Sequence, residues 1–167
     1  DVNNYSVTDQ SSTTANITAK SLTVSGITAS DKTYDGSTSA TLTGTAVYSG
    51  LVSGDTFTGS YTGAFSDKNV GTGKTVTITP SYSGADVNNY SVTDQSTTTA
   101  DISAKALTAT ASASNKTYDG GTTASTTLTF TGLVGSETLG QTVGSTFDNK
   151  NVGSNKTVTV NSISLGN

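Results

Sequence analysis

Cysteine, methionine, histidine and arginine are all missing from this 167-residue chain, and proline occurs once, at Pro80. Without cysteine the fold rests on neither disulfides nor a thiolate metal site. Without histidine and cysteine the commonest general base and the most reactive nucleophile are gone, which leaves the many Ser and Thr hydroxyls with no activating partner. No enzyme is expected. Eight lysines stand against twelve acids, a net charge of −4, so there is no basic footprint for nucleic acid or anionic lipid. No apolar run is long enough to insert into a membrane. The sequence starts at Asp1 without an initiating Met or a signal peptide and is expected to be a segment of a longer chain.

Apolar residues are scarce at 31%, which raises the question of disorder. Sparse charge (12%), the single proline and an alternating placement of the apolar residues argue against it. Ser and Thr make up over a third of the chain. Thr and Val are β-branched and suit a pleated surface, and 18 glycines supply turns. Thin, Thr-clad β-structure is expected.

Most of the information lies in an internal repeat. Asp1-Val-Asn-Asn-Tyr-Ser-Val-Thr-Asp-Gln10 recurs unchanged as Asp86–Gln95, an offset of 85 residues. Lys32-Thr-Tyr-Asp-Gly36 recurs as Lys116–Gly120 at an offset of 84, so one residue is lost between Leu107 and Lys116. Asp67-Lys-Asn-Val-Gly71 returns as Asn149–Gly153 at an offset of 82. All eight lysines pair: Lys20 with Lys105, Lys32 with Lys116, Lys68 with Lys150, Lys74 with Lys156. If Asn167 were followed by another Asp1-Val-Asn-Asn-Tyr5, the register would continue without a gap. The expected organisation is therefore the closing strands of a preceding module at residues 1–20, a complete module at 21–104, and a second module at 105–167 that lacks its closing strands. Such a module leaves an unpaired sheet edge, which strand addition from residues 1–20 of another copy would fill.

Period-2 alternation predicts strands through Ala40, Leu42, Gly44 and Ala46, through Phe57 to Phe65, and through Val76, Ile78, Tyr90 and Val92. The second copy repeats this at Leu128, Phe130, Val158 and Val160. Ala15, Ile17 and Ala19 share one face, but Leu22 and Val24 fall on the opposite parity. Ile102 and Ala104 against Leu107 and Ala109 show the same slip. A parity switch exchanges the buried face. It predicts a joint between modules at Lys20 and Lys105, with a bulge inside one strand as the alternative. Asp35-Gly36 and Asp119-Gly120 are tight-turn signals. The Tyr before each is expected to bury its ring and offer its hydroxyl to a backbone partner. Asn69-Val-Gly71 and Asn151-Val-Gly153 read as further turns.

Lys-Thr-Tyr-Asp-Gly, Asp-Lys-Asn-Val-Gly, Ser83-Gly-Ala-Asp-Val-Asn-Asn-Tyr90 and Thr98-Thr-Ala-Asp-Ile-Ser-Ala104 together resemble the YDG-type repeat of large bacterial adhesins of the filamentous-haemagglutinin kind. The second copy departs from it by Gly121 after the turn, Asn149 for Asp67 and Asn167 for Ala85. The resemblance implies export to the bacterial cell surface and a place in a stalk or adhesive shaft. It brings neither a ligand nor functional residues.

Candidates for chemistry are few. Asp35 and Asp119 sit in repeated turns and read as structural, and Glu137, for which no counterpart is evident, reads as a surface residue. Calcium would need several hard oxygen ligands. Asp31 with Asp35, or Asp67 with Asp55, are the available sets, and Asn115 and Asn149 replace two of these in the second copy. A Lys–Asn amide crosslink would need an acid in an apolar pocket beside the pair. Asn-x-Ser/Thr occurs at Asn4, Asn16, Asn89, Asn115 and Asn155, as chance alone would provide in such a composition.

No cofactor and no metal are expected. The expected fold is all-β, with tandem antiparallel Ig-like β-sandwich modules of about 85 residues stacked head to tail. A solenoid is disfavoured because its coils run to roughly 20–30 residues. The expected role is a structural shaft or spacer of a secreted surface fibre whose partners are adjacent identical modules. The alternatives are a host- or matrix-glycan-binding module, for which Tyr48, Tyr61 and Tyr82 are the candidates, and self-association in a biofilm or filament.

Overall fold

The computed structural model describes residues 1–166; Asn167, where the hand-over to a following copy is expected, lies outside the described residues. The strands are β1 (Lys20–Ala29), β2 (Lys32–Thr33), β3 (Ser39–Ala40), β4 (Leu42–Ser49), β5 (Thr58–Phe65) and β6 (Gly71–Ser83), then β7 (Tyr90–Thr93), β8 (Thr97–Ser103), β9 (Thr108–Ala113), β10 (Thr126–Thr131), β11 (Gly140–Phe147) and β12 (Val158–Gly166). Two 3-10 turns, Val2–Asn4 and Val87–Asn89, are the only helical backbone among the described residues. None of it is long and apolar enough to cross a membrane. The all-β expectation holds.

By contact density the chain forms two compact units. The first takes Asp1–Ser30, Ser39–Ser66 and Thr75–Thr99; the second takes Asp31–Thr38, Asp67–Lys74 and the chain from Ala100 onward. This division differs from the sequence repeat, because the turns Lys32–Gly36 and Asp67–Gly71 of the first repeat fall in the second unit.

In the first unit β1 lies between β4 and β7. It runs antiparallel to β4 and parallel to β7, with Lys20 opposite Tyr90 and Leu22 opposite Val92. Hairpin-like alternation cannot reveal a parallel pairing, so the expectation of antiparallel sheets is corrected here and at β2–β8, which are parallel. The other sheet of this unit pairs β5 with β3 and with β6, and β8 flanks β6. The two sheets share an apolar layer. Leu22, Phe57 and Tyr90 form one cluster, with Tyr48, Leu51, Tyr82, Val87 and Val92 against it. Val24, Ile27 and Ile78 form another, with Leu42, Ala46 and Tyr61 among its neighbours. Phe57 sits 5.2 Å from the Tyr48 ring, 5.1 Å from Tyr82 and 5.8 Å from Tyr90. These contacts stretch a small apolar content into a core.

One residue explains the shortened second repeat. β1 and β4 lose register between Ser25 and Ile27, at Gly26, whose φ is +86°. A Cβ there would lie 2.6 Å from the Thr45 carbonyl oxygen, so only glycine fits. This bulge flips the parity of β1, and Ile27 is buried along with Leu22 and Val24. β9 and β10 pair without interruption from Thr108↔Thr131 to Ala113↔Thr126. The residue missing between Leu107 and Lys116 is thus the bulge glycine.

In the second unit β9 pairs with β10, β11 pairs antiparallel with β12, and β2 lies parallel on the end of β8. Ala100, Ile102, Ala124 and Leu128 are buried. The Gln141 amide clips Leu128, accepting from its N–H at 2.7 Å and donating to its carbonyl at 2.8 Å. Gln95 does the same to Ile27, at 3.0 and 2.6 Å. The parity switch at Ile102/Leu107 falls at residues 104–107, which separate β8 from β9. At the corresponding place in the first copy, residues 5–19 form no strand.

The equivalent leucines differ in surroundings: Leu22 is buried and Leu107 is not. Leu22→Ala is expected to cost about 2–5 kcal/mol and Leu107→Ala less than about 1 kcal/mol, read from urea unfolding by tyrosine fluorescence. Equal losses at the two sites would contradict the packing described.

Candidate functional site

The repeated turns hold most of the ordered polar chemistry. In Lys32–Gly36 the Asp35 carboxylate accepts from the Ser37 N–H at 2.8 Å and from the Lys32 ammonium at 2.8 Å, and Lys32 also donates to the Ser37 carbonyl at 2.8 Å. Gly36 takes φ +78°, the left-handed conformation a side chain resists. Lys116–Gly120 repeats the arrangement, with Lys116 2.8 Å from Asp119 and the Gly121 N–H 2.9 Å from the same carboxylate. The added Gly121 therefore supplies the N–H that Ser37 supplies in the first copy.

The second turn pair is built alike. Asp67 accepts from Asn69 N–H and from Lys74, both at 2.7 Å. In the second copy Lys156 lies 3.0 Å from Asp148 and also donates to Asn149 Oδ1. The lysine hydrogen bond holds Asp35 down at about 2, below the usual carboxylate range. Asp67, Asp119 and Asp148 are lowered by the same cause. Lys156, Asn149 and Asp148 are the set an amide crosslink would use. The lysine meets the amide oxygen, and Asp148 is held ionised and exposed rather than protonated in an apolar pocket. The arrangement is that of an ion pair.

Glu137 is the residue that sequence reasoning misplaced. It has a counterpart, since Gly132-Leu-Val-Gly-Ser-Glu137 answers Gly50-Leu-Val-Ser-Gly-Asp55, and the shared Gly-Leu-Val was the signal. Within the second unit this loop seats on both turns of the first repeat. The Tyr34 hydroxyl donates to the Glu137 carboxylate, Lys68 lies 3.5 Å from it, and the Lys68 ammonium stands 5.9 Å over the Tyr34 ring. A Cβ on Gly36 would fall 2.9 Å from Val134, so the turn glycine also makes room for the loop. Tyr34 therefore gives its hydroxyl to a carboxylate, where a backbone partner was expected, and Tyr118 is exposed. The hydrogen bond from Tyr34 lowers Glu137.

Asp55 accepts from the Tyr90 hydroxyl, which in turn accepts the Val52 N–H at 3.0 Å. Of the calcium candidates, Asp31 accepts the Asp101 N–H at 2.7 Å, Asp35 is taken up by Lys32, Asp67 by Lys74 and Asp55 by Tyr90. No group of three or more acids is arranged to hold a metal among the described residues. Tyr48, Tyr61 and Tyr82 are half-buried. Tyr61 donates to the Tyr48 hydroxyl at 3.2 Å, which also accepts the Gly59 N–H at 3.0 Å, and Tyr82 donates to Asp94. Burial and Tyr48 push Tyr61 up to about 12. The sequon residues Asn4, Asn16, Asn89, Asn115 and Asn155 are all exposed.

The YDG-domain profile fits residues 18–100 and again residues 103–167. No curated protein and no solved structure matches the chain.

A carboxyl whose pKa is lower folded than unfolded adds stability above its unfolded value and loses it as pH falls through the folded value. For Asp35 that window runs from 3.8 down to about 2. NMR titration of Asp35 should give about 2, and Lys32→Met should return it toward roughly 3.9. An Asp35 titration unmoved by Lys32→Met would contradict the turn geometry.

Proposed function

The chain belongs to the YDG-domain family, and from that premise we propose that it is a structural shaft or spacer of a secreted bacterial surface adhesin. It carries no enzyme activity. Its modules are Ig-like β-sandwiches chained head to tail, and its partners are further modules of the same kind. The reading is supported above all by the use made of the repeated motifs. The Tyr-Asp-Gly turn and the Asp-Lys-Asn-Val-Gly turn of the first repeat are occupied by the chain's own Val134–Glu137 loop. Motifs spent on internal joints suit an element that carries load and spacing. Side chains that receive an outside ligand would instead be left facing solvent.

The adhesive alternative rests on one observation. An open groove of about 470 Å³ runs along Ile27, Leu42, Ala46, Tyr48 and Tyr61, and tyrosines beside a groove suit the faces of sugar rings. The mutual hydrogen bonds of these hydroxyls favour a packing role. Glycan and matrix-protein arrays probed with the chain should stay silent at micromolar concentration. Saturable binding that is lost in Tyr61→Ala would replace the spacer with an adhesive module.

A further inference from the structure

We infer that the second repeat is completed by residues 1–20 of a second copy of this chain, laid on residues 105–108 at the entry to β9 and on β12, in the register that residues 86–105 hold on the first repeat. The inference deepens the spacer reading and rests on it, and it names the partner and the face.

The first repeat shows the closed arrangement. Its segment Asp86–Ser103 contributes β7, parallel on β1, and β8, beside β6. Four anchors hold it: Asp86 accepts the Thr56 N–H at 2.8 Å, the Tyr90 hydroxyl joins Asp55 and the Val52 N–H, Gln95 clips Ile27, and the Ser96 carbonyl accepts the Ile78 N–H at 2.9 Å. Under this cover Leu22 is 0% and Tyr90 8% exposed.

In the second repeat the counterpart of the receiving stretch Lys20–Thr23 is Lys105–Thr108, which leads into β9. Among the described residues β9 pairs only with β10 and β12 only with β11, so each keeps one open edge. Every residue of β9 is exposed, and Leu107, the counterpart of Leu22, is 38% exposed. Open edges of this kind template another strand.

The matching strand is also present and unused. Residues 1–10 are identical to 86–95, yet Tyr5 is 79% exposed where Tyr90 is 8%. Ile17, the counterpart of buried Ile102, stands fully in solvent. Residues 1–21 are all exposed, and the side-chain bond of Gln10 is local, to the Ser12 carbonyl. One chain therefore carries a strand without a site and a site without its strand, beside a filled example of the same pair.

The filled example sets the register. Tyr5 of the second copy lies opposite Lys105, Ser6 opposite Ala106, Val7 opposite Leu107 and Thr8 opposite Thr108, all parallel. The Tyr5 hydroxyl reaches the Val134 N–H and Glu137, as Tyr90 reaches Val52 and Asp55. The second copy also brings its own loop Leu51–Asp55, the counterpart of the loop that seats on the first repeat's turns. It fits the open cleft of about 720 Å³ lined by Lys116, Tyr118, Lys150 and Val152. Because donor and receiver are different surfaces, the contact is heterologous and adds copies end to end.

The test uses the absence of cysteine. Chains of residues 1–167 carrying Ser6→Cys or Ala106→Cys, both at exposed positions, are mixed under mild oxidation. The paired Cα spacing of neighbouring strands suits a disulfide. The mixture should give a two-chain disulfide at least tenfold faster than the out-of-register pair Ser6→Cys with Thr110→Cys. The unsubstituted chain should sediment as species that grow with concentration, and Tyr5→Asp with Val7→Asp should weaken this at least tenfold without moving the urea midpoint. Equal yields in and out of register, a monomer at all concentrations, or intramolecular closure of a Ser6→Cys/Ala106→Cys chain would each overturn the inference. Failure of the spacer reading shows separately, as saturable array binding.

Discussion

Tyr90 holds the first repeat shut. Its ring packs on Phe57 and shares a cluster with Leu22, while its hydroxyl ties down Asp55 and the Val52 N–H. Because apolar residues are so scarce, the core is one layer deep and depends on every sheet edge being covered. The segment that brings Tyr90 supplies a strand to both sheets, so its arrival closes two edges at once. Where that segment is lacking, in the second repeat, Leu107 is 38% exposed in place of a buried Leu22.

The polar turns carry the rest. Each Lys–Asp pair shapes its own turn, and the Asp also accepts a backbone N–H of that turn. Exposed pairs of this kind contribute little to stability; their effect is to fix the turn so that Tyr34 and Lys68 present a fixed pair to Glu137. The left-handed Gly36 serves both ends of this arrangement, since it turns the chain and admits Val134. The family motif is thereby a joint between segments of one fold.

Much of this was legible in the residues. Alternation located β4, β5 and β6, because those strands are polar on one face and apolar on the other. The parity switch located the break at residues 104–107, since a strand cannot change its buried face without one. What escaped detection had physical reasons. Gly26 looked like one residue of a strand, but its role depends on the Thr45 carbonyl, which is remote in sequence. The parallel β1–β7 pairing leaves the same alternation as an antiparallel one. Glu137 was set aside because a change from Asp to Glu hides a shared position when acids alone are compared. The Tyr34 hydroxyl went to a carboxylate 103 residues away, beyond any local pattern. The tyrosines considered for glycans are half-buried among one another, and period-2 reading cannot tell an aromatic surface from an aromatic core.

The central claim is that residues 105–108, at the entry to β9, receive a strand whose sequence is that of Asp86–Lys105. Hydrogen–deuterium exchange on the dilute chain measures this directly, with and without a synthetic peptide of residues 86–105. Amides of residues 105–108 should exchange at least tenfold faster than those of residues 20–23 in the chain alone, and the peptide should slow residues 105–108 and β12 while leaving residues 20–23 and β6 unchanged. Residues 105–108 already as protected as residues 20–23, or indifferent to the peptide, would contradict the account.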